Sequence, residues 1–238
     1  MRDAHRLRVI ESCLNCKLRT DSFFCDLSPE TVQAFEAIST KTAYPKGVMI
    51  FMEGQTPHGI FVLCSGKVKL SASSGDGKTV IMEVTDPGEV LGLSATVSEM
   101  PYEVTAEAME FCQVNFIRKD DFLRFLSENG EACLRVAQHL SRTYHLAYEQ
   151  VRSLALHTAR ENLAKLLLKW CSEKGSETDQ GIRLKLTLSH EELGQMLGTT
   201  RETVSRLLAE LKKEQIITLS GATLLIHDKG SLEKLAGS

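Results

Sequence analysis

Two short stretches of this 238-residue chain carry residue types that could do chemistry at a defined spacing. Near the N-terminus Cys13 and Cys16 form a Cys-x-x-Cys pair, and Cys25 follows after eight intervening residues. Such a pair lets two thiolates reach one metal centre from a single turn, and iron–sulfur clusters take cysteine thiolates in fours. A fourth ligand must therefore come from elsewhere. Zinc, with a further ligand such as His5, is a second chemistry for these thiols. A reversible dithiol–disulfide exchange between Cys13 and Cys16 is a third. Near the C-terminus, Arg201-Glu-Thr-Val-Ser-Arg206 places two arginines, a glutamate and a serine on the opening turns of a helix. An arginine fork can donate twice to guanine O6 and N7, a glutamate can accept from cytosine N4, and a serine is a short, adaptable partner.

The elements that must position the second set can be read residue by residue. Ser189 is an N-cap with Glu192 three residues later, the pattern of a capping box. Leu193, Met196 and Leu197 supply an apolar stripe, and Gly198 can take the left-handed conformation that ends a helix. Thr200 is the next N-cap, and Val204, Leu207, Leu208 and Leu211 give the second helix its buried face. Arg201, Glu202, Ser205 and Arg206 fall outside that stripe, at the end of a helix-turn-helix that enters the major groove. An isolated helical hairpin with solvated charges would read much the same. A small wing follows, however: Ile216 and Ile217, a Ser220-Gly221 turn, then Thr223 to Ile226. Helix, turn, helix and wing together predict a DNA-binding module.

Composition is that of an ordinary soluble globular protein, 42% hydrophobic and 25% charged. The start is too polar for a secretory leader and no apolar run approaches bilayer length, so a cytoplasmic protein without a membrane partner is expected. In that compartment seven cysteines argue for thiol, metal or redox chemistry rather than structural disulfides. Net charge is −3, with 12 Lys+Arg against 11 Asp+Glu from Ala159 onward and 16 against 20 before it. A nearly neutral C-terminal part implies local basic patches and a dimer rather than a uniformly basic surface. No nucleophile–base set, phosphate loop or His-rich motif stands in the first half, and His58, His139, His145 and His157 are scattered. The chain is not expected to be an enzyme, although a metabolite-binding module carrying a helix-turn-helix is a rival reading.

Four segments follow from patterning. Residues 1–28 hold the cysteine trio. Residues 29–129 alternate short apolar runs with Gly47, Gly54, Gly59, Gly66, Gly75, Gly77, Gly88 and Gly92, the signature of a small barrel or jelly roll. In 130–158, Cys133, Ala137, Leu140, Tyr144, Ala147, Val151 and Leu154 keep an unbroken heptad register. So narrow a seam predicts self-association of two copies. Residues 159–238 carry a helix over Ala159–Trp170, a polar linker from Gly175 to Gly181, and the helix-turn-helix with its wing.

The segment from Arg201 to Arg206 resembles the recognition helix of the cyclic-AMP receptor protein / fumarate–nitrate reductase regulator (CRP/FNR) family of bacterial transcription factors. The remaining segments resemble that family in order and almost end to end. The resemblance implies an α+β chain: an N-terminal cyclic-nucleotide-binding-like β-roll, a long dimerisation helix and a C-terminal winged helix-turn-helix. It implies a homodimer on a palindromic operator in double-stranded DNA, with RNA polymerase as a partner. Glu202, Ser205 and Arg206 resemble the set of the fumarate–nitrate branch, implying a TTGA-like half-site, while Arg201 resembles the cyclic-AMP branch and its TGTGA-like half-site. The oxygen-sensing branch also places a distant cluster cysteine where Cys112 stands, which implies a 4Fe-4S cluster on Cys13, Cys16, Cys25 and Cys112. In that branch the third cysteine lies closer to the pair than Cys25 does here. Haem or another ligand is an alternative, and Cys112, alternating with Val114 and Phe116, also fits a buried core thiol.

Cyclic AMP, the family's best-known ligand, is not expected. Gly88-Glu89 is present, but the phosphate-pairing arginine of nucleotide-binding members falls near Tyr102-Glu103. From Thr79 to Ile117 there is no lysine or arginine, against seven carboxylates: Glu83, Asp86, Glu89, Glu99, Glu103, Glu107 and Glu110. Burying a phosphate there without a cation would cost several kcal/mol.

Overall fold

The structure, a computed structural model, describes residues 12–16 and 25–237, without the side chain of Leu154. His5 lies outside the described residues. Two compact units divide the chain between Tyr144 and His145.

In the first unit, α1 (Pro29–Ala37) starts at Ser28, whose hydroxyl accepts from the Thr31 amide, with Pro29 pre-set for the first turn. Eight strands and a short helix follow: β1 (Thr40–Tyr44), β2 (Met49–Phe51), β3 (Gly59–Ser65), β4 (Val68–Ser73), β5 (Thr79–Thr85), β6 (Val90–Leu91), α2 (Leu93–Ser98), β7 (Thr105–Ala108) and β8 (Cys112–Arg118). They form two antiparallel four-stranded sheets, β1-β8-β3-β6 and β2-β7-β4-β5. Then come α3 (Lys119–Glu128) and α4 (Gly130–Leu156).

Two cores share the β1-β8-β3-β6 sheet. Phe61, Leu63, Cys112 and Val114 meet Phe51, Val68, Ala106 and Ala108 of the other sheet. On the opposite face Ile60, Val62 and Ile117 meet Val32 and Phe35 of α1, Phe122 and Phe125 of α3, and Ala132 and Val136 of α4. Alternation of side chains along each strand sorts the residues between these cores. Gly59 is held by contact rather than by a turn, since a Cβ there would lie 1.9 Å from the Ile117 carbonyl oxygen.

The second unit contains α5 (Ala159–Lys174), β9 (Ser176–Thr178), β10 (Gly181–Lys185), α6 (His190–Met196), α7 (Arg201–Lys213), β11 (Ile217–Ser220), β12 (Thr223–Ile226) and α8 (Lys229–Leu235). The polar stretch expected as a linker is instead a hairpin. β10 pairs with β12 on one side and β9 on the other, giving the sheet β11-β12-β10-β9. Gly181, at φ +124° with the Ile226 carbonyl oxygen where a Cβ would sit, is what that hairpin needs. α5 also continues one turn beyond Trp170.

Candidate nucleic-acid interface and cysteine site

The helix-turn-helix is built from local hydrogen bonds. Ser189 and Glu192 cap α6 reciprocally, with Ser189 N–H to Glu192 Oε2 at 2.8 Å and Glu192 N–H to Ser189 Oγ at 3.2 Å. Gly198 turns the chain at φ +62°, and Thr200 Oγ1 accepts from the Thr203 amide at 3.2 Å to start α7. Val204, Leu207, Leu208 and Leu211 are buried, so Arg201, Glu202 and Arg206 are exposed and Ser205 half-buried. The structure thus gathers all four of these side chains on the outer side of the first turns of α7.

Two details escaped the sequence pattern. Ser205 Oγ lies 2.9 Å from His190 Nδ1, so one α7 residue is oriented by the first residue of α6. Arg206 gives one nitrogen to Glu210 at 2.7 Å, while its side chain stays 62% exposed. The i, i+4 spacing of Arg206 and Glu210 is the only sequence signal for that pair.

Most of the described heptad residues of α4 are exposed. Cys133 and Ala137 are exposed, Leu140 is partly buried, and Ala147 is exposed. Tyr144 and Val151 are 67% and 66% exposed. The buried residues of this helix, Ala132 and Val136, belong to a different stripe.

In the first unit the Cys13–Cys16 turn closes through Cys16 N–H to Cys13 O at 3.3 Å. Glu36 of α1 anchors it, accepting from the Cys13 amide at 3.2 Å and the Ser12 hydroxyl at 3.3 Å. Cys13 packs on the helix-covered core. Burial, then the Glu36, Cys25 and Cys16 charges, push its thiol up to about 11. Cys25 and Cys16 are therefore within electrostatic range of Cys13, but the three are not gathered closely enough to hold one metal ion.

Cys112 stands elsewhere. It begins β8 with the side chain in the core between the sheets, 0% exposed. Its sulfur donates to the carbonyls of Lys67 at 3.2 Å and Glu110 at 3.4 Å. Behind it is Gly66, where a Cβ would come within 2.6 Å of that sulfur. Cys64 of β3 is another buried thiol, which burial and then the Cys13, Cys25 and Cys16 charges push up to about 12. Among the described residues no three His, Cys, Asp or Glu side chains converge tightly enough to hold a single metal ion.

Tyr102, near where the resemblance sets the phosphate-pairing arginine, is buried. Its ring stacks on Phe51 with centroids 4.0 Å apart, and its hydroxyl donates to the Gly59 carbonyl at 3.0 Å. Glu89 in the preceding turn is exposed, although desolvation raises its carboxyl above the ordinary range.

Residues 41–129 match the cyclic nucleotide-binding domain and residues 161–235 the Crp-like helix-turn-helix domain. The "Anaerobic regulatory protein" of Bacillus subtilis is 24% identical over 208 residues, 87% of each chain. The "Cyclic AMP receptor protein" of Thermus thermophilus is 27% identical over 92% of this chain and 98% of its own. "Transcriptional activator protein FnrA" of Stutzerimonas stutzeri is 27% identical over 94% of this chain and 92% of its own. Among solved structures, a variant of CooA from Carboxydothermus hydrogenoformans has the same fold, with a TM-score of 0.79 at 24% identity over 91% of this chain and 96% of that one. These relatives are transcription regulators, not enzymes, and no helix among the described residues is long and apolar enough to cross a membrane. With both domains matched in the family's order, the chain belongs to the CRP/FNR family of transcription regulators, and its C-terminal unit is that family's DNA-binding helix-turn-helix.

Proposed function

We propose that this protein is a cytoplasmic homodimeric regulator that reads a palindromic operator and is switched by its N-terminal cysteine site in response to oxygen, nitric oxide or redox state. The observation that carries the DNA reading is the outward cluster of Arg201, Glu202, Ser205 and Arg206 on the opening turns of α7, with Thr200 and Ser189 holding the two helix starts. Arg206 would donate to guanine and Glu202 accept from cytosine in a half-site containing a G·C pair. Arg201 and Ser205 would fix the register beside them.

The uncovered seam of α4 supports the dimer. Tyr144 and Val151, each about two-thirds exposed, continue the heptad set by Leu140, and a twofold pair would bury them. It would also present two copies of α7 to half-sites roughly one helical turn apart. RNA polymerase is the downstream partner this family membership suggests.

For the switch, Cys13, Cys16 and Cys25 would hold a 4Fe–4S cluster, with a further thiolate completing the set. Such a cluster, when bound, supplies a centre that oxygen or nitric oxide destroys. The residues' own contribution is mechanical. Glu36 ties the Cys13 turn to α1, and α1 packs with α4 in one core. Loss of ligation at the turn would relax α1 against the first turns of α4, and two arrangements of the α4 pair would then differ in how well they seat α7 on DNA. A cyclic nucleotide at the usual place is disfavoured by Tyr102 packed within the roll and by the lack of any lysine or arginine from Thr79 to Ile117.

Selection of bound duplexes from a random pool by the anaerobically purified chain tests this reading. A palindrome with half-sites one turn apart is expected, and Arg206→Ala should lose preference at one base pair per half-site. Enrichment of no sequence at all would refute it.

A further inference from the structure

We propose that His190, the first residue of α6, is a specificity-determining residue for operator reading: its ring fixes whether the Ser205 hydroxyl of α7 donates to a base edge or accepts from one. The inference rests on the reading of Ser205 as one of the DNA-facing set above, and adds the residue that sets its polarity.

The contact is short and its setting is fixed. Ser205 Oγ and His190 Nδ1 are 2.9 Å apart, and both residues are half-buried where α6 packs on α7. Among the described residues the imidazole is the only hydrogen-bond partner of that hydroxyl. The Ser189–Glu192 capping box starts α6 at His190, and the Thr200 cap starts α7 one turn before Ser205. Gly194 lets the two helices approach, since a Cβ there would lie 2.9 Å from the Thr199 carbonyl oxygen. Val204 and Leu208, 0% and 4% exposed, pin α7 on either side of the serine. Arg201, Glu202 and Arg206 are exposed and can turn to suit a base. Ser205 meets DNA with one of its hydrogen-bonding positions already taken.

A serine hydroxyl carries one donor and two acceptor lone pairs, so what it shows the groove depends on what His190 has taken. With the neutral ring's proton on Nε2, Ser205 donates to the bare Nδ1 and keeps only lone pairs for DNA. Their match in the major groove is an amino group, cytosine N4 or adenine N6. In the imidazolium both ring nitrogens donate. Nδ1–H then donates to Ser205 Oγ and frees the hydroxyl proton, whose match is an acceptor such as thymine O4 or guanine O6. One proton exchanged between His190 and solvent thus trades one class of base for the other. Adenine offers both kinds of group, through N6 and N7, so cytosine against thymine is the diagnostic contrast.

The charged groups on the packed elements are Glu191 and Glu192 beside His190 on α6, Arg201, Glu202, Arg206 and Glu210 on α7, and Lys185 at the end of β10. Glu192 is folded back onto Ser189 and Arg206 onto Glu210, so neither competes for the His190–Ser205 contact. The first helix of a helix-turn-helix crosses the DNA backbone. Bound duplex would therefore bring phosphate charge towards this ring, which favours its cation. A ring that merely filled space between α6 and α7 would not make base choice follow pH.

The test selects duplexes from a random pool with the full chain at fixed salt, at about pH 8 and about pH 5.5, on either side of the change in charge of an ordinary imidazole. At the position whose preference is lost in Ser205→Ala, the wild-type ratio of cytosine to thymine should fall about fivefold or more on acidification, the worth of one hydrogen bond. The other positions should keep their bases. His190→Phe, which fills the space without a ring nitrogen, should give one ratio at both pH values. Should it fail to fold by circular dichroism, His190→Gln, which can pair with Ser205 but does not titrate, takes its place. A wild-type ratio that ignores pH, or one that follows pH equally in the His190 variant, overturns the proposal. No position lost in Ser205→Ala would instead refute the base-reading role of Ser205, and enrichment of no sequence the DNA reading itself.

Discussion

The contacts that position α6 and α7 reach three residues along the chain at their caps, Ser189–Glu192 and Thr200–Thr203, and fifteen from His190 to Ser205. Those that position the cysteine site reach from Cys13 to Glu36 and from Cys13 to Asn115, 23 and 102 residues apart. The DNA-reading end is thus made of short-range caps and one apolar stripe, which keep its geometry stiff and largely independent of the rest. The sensing end is assembled from a turn, a helix and two strands, so anything that disturbs one of them is felt by the others. A stiff helix-turn-helix and a many-handed cysteine site would suit the proposed switch, in which the reader keeps its chemistry while the packing beneath α4 changes.

That contrast can be broken or sharpened in order of effect. Replacing Cys13 and Cys16 together with alanine should abolish iron uptake when the chain is loaded anaerobically with ferric iron, a thiol reductant and sulfide, while thermal unfolding of the second unit stays where it was. Loss of stability in the 145–238 unit would show that the ends are not independent. Leu211→Ala, at a position 1% exposed beneath α7, should cost about 2–5 kcal/mol in denaturant unfolding of that unit and leave iron content unchanged. Arg206→Ala should weaken binding to the selected palindrome by about 1–3 kcal/mol and relax one base pair per half-site. An equal loss on random duplex would reassign this side chain to phosphate. Thr200→Ala, which removes one cap, should cost about 1 kcal/mol of stability, with Thr200→Asn restoring most of it.

The same difference in reach explains what could be seen in the residues beforehand. Ser189, Glu192, Gly198, Thr200 and the four buried residues of α7 lie where spacing alone puts them, because caps and stripes are local. The β9–β10 hairpin did not show in the polar run from Gly175 to Gly181, since its order comes from pairing with β12, forty-odd positions away, and not from its own composition. Cys112 alternates with Val114 and Phe116, so its burial was legible. Which of the sheet's two faces the N-terminal segment would cover was not, because that depends on α1, α3 and α4 packing on one side. His190 and Tyr102 carried no spacing signal, each acting through one contact across a turn or a roll.

The account turns on coupling between these two ends, and one titration addresses it: affinity for the selected palindrome, at fixed salt, of the iron-loaded protein before and after exposure to air. The account predicts that the two dissociation constants differ by about 5–150-fold, and that the Cys13/Cys16 double variant shows a single value in both conditions. Loss of the iron in air with no change in the dissociation constant would contradict it.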